Sequence, residues 1–215
     1  MVNVERVVAS ACQPGPVSET VATFVTAPPE RVEVRDGVAL VRCRPEWATA
    51  AAVAVNVSLA HLRPWMAWAA EPATEAGLAA FFVAAEELWD RRQDFGYSIV
   101  DALQGSVLGG CGLHGRRGVD ALEIGYWVHV DRIGQGLATE AAASLTHAAF
   151  AIDGVDRVEI RCDDENVRSA RVPEKLGYSL SARLVPDEGP CAGRLTQVWQ
   201  VSRPAWMSRG GQGAS

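Results

Sequence analysis

Short alternations of apolar and polar residues run through most of this chain and are broken by longer Ala-rich stretches. Val32 to Arg44 reads as strand, turn and strand, with Asp36-Gly37 at the turn, where glycine accepts the positive φ that a tight hairpin demands. Glu46 to Ala60 predicts a helix stopped by Pro64, whose ring disfavours helical geometry in the residue before it. Thr74 to Arg92 predicts a second helix with Thr74 as its cap. Gly96 to Asp101, Ser106 to Leu113 and Leu122 to Val130 read as three strands joined by short polar or Gly-rich turns, the pattern of an antiparallel meander. Gly134 to Ile152 predicts a long helix, Arg157 to Cys162 a strand, and Asn166 to Leu176 a helix stopped near Gly177. Tyr178 to Val185 and Leu195 to Val201 complete the set. The order is mixed α/β: antiparallel strands first, then a strand–helix–strand–helix–strand unit.

Composition narrows this picture. The 215 residues carry no repeat or internal linker, so one domain is expected over residues 32–203. A Pro-containing N-terminal arm over 1–31 and a Gly-rich flexible tail over 204–215 flank it. With 48% hydrophobic residues the chain can build a core. A net charge of −6 gives no basic field for nucleic acid. Cys12, Cys43, Cys111, Cys162 and Cys191 are odd in number and widely spaced, which fits a reducing cytoplasm better than a disulfide framework. His61, His114 and His147 form no spaced ligand set, so no metal is expected. No long apolar stretch suggests a signal peptide or a membrane span.

The strongest local chemistry lies in Arg132-Ile133-Gly134-Gln135-Gly136-Leu137-Ala138-Thr139, where a strand hands over to a helix. The first turn of a helix offers unpaired N–H groups and partial positive charge, so a phosphate placed there accepts several hydrogen bonds at once. Glycines let the backbone come close; Ala138 is small, Thr139 adds a hydroxyl and Arg132 a cation. A plain glycine turn is the simpler reading. A dinucleotide site is the competitor, with Asp163 and Asp164 near the end of the next strand, but Thr139 stands where the third glycine of that fingerprint belongs. No Gly-Lys-Ser or Gly-Lys-Thr is present, which excludes a Walker turn.

Three segments together resemble the GNAT superfamily of N-acetyltransferases: Glu123-Ile124-Gly125-Tyr126-Trp127-Val128, the glycine turn continued to Ala141, and Asn166 to Tyr178. Within it, the chain is most similar to the ribosomal-protein N-terminal acetyltransferases, and Leu62-Arg63-Pro64-Trp65-Met66 adds to that likeness. The resemblance implies an α/β (α+β) fold with a mostly antiparallel sheet, splayed central strands and helices on both faces. It implies acetyl-CoA, or another acyl-CoA, as co-substrate. Pantetheine would pair with backbone groups of Val128, His129 and Val130 like an added strand. Pyrophosphate would rest on amides from Ile133 to Thr139, through Gly134, Gln135, Gly136, Leu137 and Ala138, with Asn166 near the pantetheine. Ile133 departs from the Gln or Arg of many members and offers only its N–H.

Pro173 occupies the slot where many members carry a tyrosine acid. Ser169 is the alternative donor to the leaving sulfur, or else a small residue packed against the cofactor. Glu123 shares a strand face with Gly125 and Trp127 and is the candidate base; the plainer reading is a salt-bridged or substrate-orienting carboxylate. Trp65 and Trp68 are expected to wall the acceptor, or to pack in the core. The expected acceptor is a primary amine, either a peptide N-terminus or a small molecule, and a homodimer is one expected assembly. A non-catalytic acyl-CoA binder and a dinucleotide-dependent oxidoreductase stand as alternatives.

Overall fold

A computed structural model describes residues 22–187 and 192–210. The hairpin pattern yields β1 (Arg31–Arg35) and β2 (Val38–Arg42), turned at Gly37 with φ of 75°. A short 3-10 turn then leads into α1 (Ala48–Leu62). Helix α2 (Glu75–Asp90) is capped by Thr74, whose Oγ1 accepts from the Gly77 N–H at 3.1 Å. The meander follows as β3 (Asp94–Asp101), β4 (Ser106–His114) and β5 (Ala121–Val128). Next come α3 (Leu137–Phe150), β6 (Arg157–Asp163), α4 (Val167–Lys175), β7 (Ser179–Leu184) and β8 (Thr196–Ser202). Helix α5 (Arg203–Gly210) completes the order.

One eight-stranded sheet runs β1-β2-β3-β4-β5-β6-β8-β7. Every neighbouring pair is antiparallel except β5 with β6. That parallel pairing covers only Ala121 to Ile124 against Arg157 to Ile160. From Gly125 and Arg161 onward the two strands part, and the middle of the sheet opens into a gap. The larger core cluster gathers Leu137, Ala141, Leu145 and Phe150 of α3 with Leu122 and Ile124 of β5. A smaller cluster joins α1 and α2 to β2, β3 and β4 through Ala51, Phe82, Val100 and Val107. Small Ala side chains let α1 and α3 lie close to the sheet, which fixes where their ends reach the gap.

Two sequence expectations need correction. The segment read as a flexible tail from residue 204 is helical to Gly210. Trp206 is buried, packs edge-on against His147 and Tyr178, and donates its indole N–H to His147 Nδ1. Just before it, the Arg203 guanidinium donates to the carbonyls of Phe150, Ile152 and Val155. It thereby satisfies acceptors that the end of α3 leaves open, and places a cation at the negative end of that helix. The N-terminal arm is likewise not wholly outside the domain: Ala22 and Phe24, both within 1–31, are buried in the larger core cluster. Residues 1–21 and 211–215 lie outside the described residues, as do Cys12 and Cys191.

Truncating Trp206 to Ala should lower the unfolding free energy by about 3–5 kcal/mol, the usual cost of emptying a buried aromatic site. Urea unfolding followed by circular dichroism measures it, and an unchanged midpoint would return this segment to the status of a tail.

Candidate active site

The glycine turn is built as its spacing suggests. A 3-10 turn over Val130–Arg132 brings the chain off β5, and α3 begins at Leu137. Gly134 and Gly136 have φ of 78° and 81°, which L-residues with a Cβ resist. An added Cβ at Gly134 would meet nothing within 4 Å, so conformation and not crowding demands glycine there. Gly136 caps α3 without any side chain, leaving the first-turn amides open to an anion. Leu137 is buried and Ala138 and Thr139 are half-buried, so Leu137 offers the site its amide while its side chain belongs to the core. Arg35 steadies the loop from β1, donating to the Gln135 carbonyl at 3.2 Å and pairing with Glu140 at 3.0 Å. That pairing also offsets a carboxylate in the first turn, which would otherwise repel a phosphate. Gln135 donates back to the Asp131 carbonyl at 2.7 Å. With half-buried Arg132 alongside, these groups fit a pyrophosphate.

The backbone bordering the gap differs in part from expectation. His129 donates its N–H to the Leu108 carbonyl at 2.8 Å, and Val130 donates to Ser58 Oγ of α1 at 3.0 Å. Alternate residues of an antiparallel strand direct their N–H and C=O groups to opposite neighbours. Val128 and Tyr126 therefore turn theirs toward the gap, while His129 cannot. Of the three residues expected to pair with pantetheine, Val128 is the one whose amide is aimed correctly.

A cavity of about 860 Å³ adjoins the gap. Its walls include Trp65 and Trp68 from the α1–α2 connection, Phe81 of α2, Trp127 of β5 and Asn166 and Ser169 of α4. Trp68 meets Trp127 edge-on at 6.1 Å, and the Arg194 guanidinium lies 5.7 Å over the Trp65 ring. Asn166 caps α4 by accepting from the Ser169 N–H at 3.1 Å. Pro173 lies inside α4 and has no N–H to give to the Ser169 carbonyl one turn back. The Tyr126 hydroxyl takes that carbonyl at 3.1 Å and lies 3.1 Å from Ser169 Oγ as well. A phenol therefore stands beside Ser169 even though the helix slot that carries tyrosine in related chains holds Pro173. Burial pushes the Tyr126 phenol up, against the hydrogen bond with Ser169.

Glu123 lines the same cavity, but arginines hold its carboxylate. It is 5% exposed, and its carboxylate is held by Arg116 at 2.6 Å and Arg117 at 2.5 Å, with Arg161 at 3.7 Å. Burial raises its pKa, but the Arg116 and Arg117 charges, with the Arg116 hydrogen bond, outweigh burial and hold it far below the carboxylate range. Across the parallel pair its register partner is Glu159, itself paired with Arg157 and Arg161. Two buried carboxylates side by side need these cations, and a carboxylate so firmly ionised has little affinity for a proton. The clue in the sequence is the adjacent Arg116-Arg117 and the alternation Arg157, Glu159, Arg161, which puts all three on one strand face.

One constellation was not legible in the sequence at all. His114, at the end of β4, is 1% exposed, and its Nδ1 lies 2.7 Å from Asp94 Oδ2 on β3. Both strands lead to the cavity, and His114 is part of its lining. Among the described residues no group of three His, Cys, Asp or Glu side chains is arranged to hold a metal, and no helix is long and apolar enough to cross a membrane.

A dinucleotide fold would need a doubly wound parallel sheet, whereas this sheet has one short parallel pair. The profile of the acetyltransferase (GNAT) domain family matches residues 40–179. The chain belongs to the GNAT acetyltransferase family. No curated protein matches it by sequence. Solved structures do match in fold. The microcin C7 self-immunity acetyltransferase MccE, in complex with acetyl-CoA and AMP, superposes with a TM-score of 0.73 at 18% identity, over 83% of this chain and 99% of that one. RimJ of Mycobacterium smegmatis, in complex with CoA-disulfide, gives 0.70 at 22% identity, covering 82% and 89%. The ribosomal-protein-S5-alanine acetyltransferase of Vibrio fischeri gives 0.71 at 18% identity, covering 82% and 98%. The GNAT fold of this chain is thus that of ribosomal-protein acetyltransferases among others.

Two outcomes follow from this geometry. Gly136→Asp should abolish CoA binding in calorimetry while circular dichroism stays native, because a carboxylate and a strained φ would replace an anion cradle; retained affinity would mean that the loop binds no phosphate. Glu123→Gln should lower stability by up to about 3–5 kcal/mol, the cost of breaking a buried pair, because it removes the charge that offsets the half-buried Arg116 and Arg117. The folded-state pKa of Glu123 lies below its unfolded value, so its stabilisation is full above about pH 4.3 and fades as pH falls toward the folded-state value. Denaturation of both proteins at neutral and acidic pH should therefore show the gap between them closing on acidification.

Proposed function

We propose that this protein is an acetyl-CoA-dependent N-acetyltransferase acting on a primary amine, with a peptide N-terminal α-amine favoured and a small-molecule amine as the other acceptor class. The observation that carries the reading is the uncapped glycine loop opening onto a parted pair of strands, which leads directly to an aromatic-walled cavity. The family assignment and the fold shared with ribosomal-protein acetyltransferases support it.

Acetyl-CoA, when bound, supplies an acyl group already activated as a thioester. The chain's own residues do the rest. Amides of Gly134 and of Gly136 to Thr139, with the Arg132 cation, hold the pyrophosphate; the expected Ile133 and Gln135 N–H groups are instead given to the carbonyls of Val130 and Arg132. The Val128 N–H, aimed into the gap, is the backbone donor for the chain of the cofactor or for the developing oxyanion. Trp65 and Trp68 hold the acceptor by apolar area and by attraction of its ammonium to their rings. Ser169, backed by the Tyr126 hydroxyl at 3.1 Å, donates to the leaving sulfur. A thiol ionises at about 8.5, so that demand is modest. Burial pushes the Cys43 and Cys111 thiols up, which makes both poor nucleophiles, and direct transfer in a ternary complex needs no thiol of the chain. An α-amine with a pKa of about 7.7–8.0 is partly neutral at cell pH, whereas a lysine near 10.4 requires far more help. This contrast favours the α-amine.

Mass spectrometry of products from acetyl-CoA with a panel of free-N-terminal peptides, N-blocked lysine peptides and small amines tests the reading. Acetyl transfer to at least one amine is expected. Binding of acetyl-CoA without any transfer would make the protein an acyl-CoA binder instead. On the best acceptor, Trp65→Ala and Trp68→Ala should each raise KM by about two- to thirty-fold, the range of a cation–π contact, with CoA affinity unchanged. Loss of thermal stability with normal kinetics per folded molecule would assign both rings to packing.

A further inference from the structure

Three glycines stand side by side across three strands on the cavity face of the sheet. Gly96 on β3 is the register partner of Gly112 on β4, and Gly112 is the partner of Gly125 on β5. Cys43 and Ala85 cover Gly96, and one ring covers the other two. A Cβ on Gly112 would come within 3.1 Å of His114 Cε1, and one on Gly125 within 3.1 Å of His114 Nε2. The imidazole thus lies over Gly112 and Gly125, with its Nε2 edge against β5. Gly125 is the first residue of β5 beyond the last pairing with β6, at Ile124. The ring nitrogen therefore reaches the sheet face at the mouth of the gap. A Cβ at 112 or 125 would press on the ring, which would have to give by a few tenths of an ångström.

The other edge of the ring is fixed. Nδ1 sits 2.7 Å from Asp94 Oδ2. A carboxylate only accepts, so Nδ1 carries a proton, and an imidazole with that single proton presents an Nε2 lone pair. The charged groups around the ring are Asp94 on β3 and Glu123, its register partner on β5. Arg116 and Arg117, in the loop between β4 and β5, take up the Glu123 charge. Asp94 is therefore the carboxylate that orients the ring.

We propose that His114 is the general base of the transfer reaction and that Asp94 is the residue that positions it. The inference rests on the acetyltransferase reading above and names the group that does what Glu123 cannot. As the amine nitrogen forms its bond to the acyl carbon and the carbon–sulfur bond breaks, the nitrogen gives one proton to Nε2. CoA departs as thiolate and is protonated by solvent or through Ser169, and the imidazolium returns its proton to water. The net change is thioester plus amine to amide plus thiol. Held by Asp94 at Nδ1, the ring gains positive charge where a carboxylate already compensates it, as an oriented base requires.

Two measurements test this. The first needs no turnover: 15N shifts of the His114 ring in the intact protein should show the neutral Nδ1–H tautomer, and Asp94→Asn should shift the ring toward the other tautomer. A wild-type ring protonated at Nε2 would overturn the proposal. The second is kcat and KM from pH 6 to 9.5 with acetyl-CoA and the best amine of the panel. His114→Gln should lower kcat by about 10²–10⁴-fold, with the deficit shrinking as pH rises and more amine is already neutral, and with CoA affinity unchanged in calorimetry. Asp94→Asn should lower kcat in the same direction and leave acceptor KM unaltered, which a merely structural role would not do. A His114→Gln enzyme within threefold of wild type per folded molecule would overturn the proposal while leaving the acetyltransferase reading intact. A wild type that acetylates no amine would instead overturn that reading, and this proposal with it. Should His114→Gln fail to fold, the tautomer and the Asp94→Asn kinetics still decide.

Discussion

Everything at the centre of this protein depends on where one parallel pairing stops. β5 and β6 share backbone hydrogen bonds only as far as Ile124 and Ile160. Beyond that point, backbone groups of Tyr126 and Val128 face a gap and not a strand. Unpaired backbone in a protein interior is costly unless a partner arrives. The gap is bordered on one side by the start of α4, where Asn166 caps the helix and Ser169 reaches Tyr126. On the other side stands the glycine loop at the start of α3. Two helix N-termini thus converge on one opening: α4 is capped by Asn166, and α3 leaves its donors at a place that an anionic, extended ligand would use.

The sheet face beside the gap is shaped by the absence of side chains. Gly110, Gly112 and Gly125 let Trp127 and His114 lie flat where ordinary residues would stand, since a Cβ at any of these positions would crowd one of those two rings. The charges below it solve a different problem. Glu123 and Glu159 are register neighbours in the buried pairing, and four arginines bind them. Breaking such a network is costly because it strands a buried charge, so this cluster reads as the foundation of the site and not as its reactive group. The same arginines that hold the Glu123 carboxylate leave Asp94 as the carboxylate hydrogen-bonded to His114.

Helix α4 shows how one substitution in a familiar pattern changes its neighbours. With Pro173 in the slot, the Ser169 carbonyl loses its helical donor, and the Tyr126 hydroxyl fills the vacancy from β5. The phenol is thereby fixed by a strand, 3.1 Å from the Ser169 hydroxyl.

By itself the sequence determined what is local. The hairpin turn at Gly37, the Thr74 cap, the meander and the positive φ at Gly134 and Gly136 all follow from propensities within a few residues. Together with the order of the three motifs they made the fold and the glycine loop legible. Tertiary structure decided what depends on partners far apart in the chain. Trp206 looks like part of a Gly-rich tail until Tyr178 and His147 are brought beneath it. Glu123 looks like a base until Arg116, Arg117 and Arg161 close around it, because a carboxylate's proton affinity is set by the charges in contact with it and not by its place on a strand. His114 looks like a lone histidine until β3 pairs with β4 and puts Asp94 directly opposite. Periodicity says which face a side chain takes; only register says what it meets there.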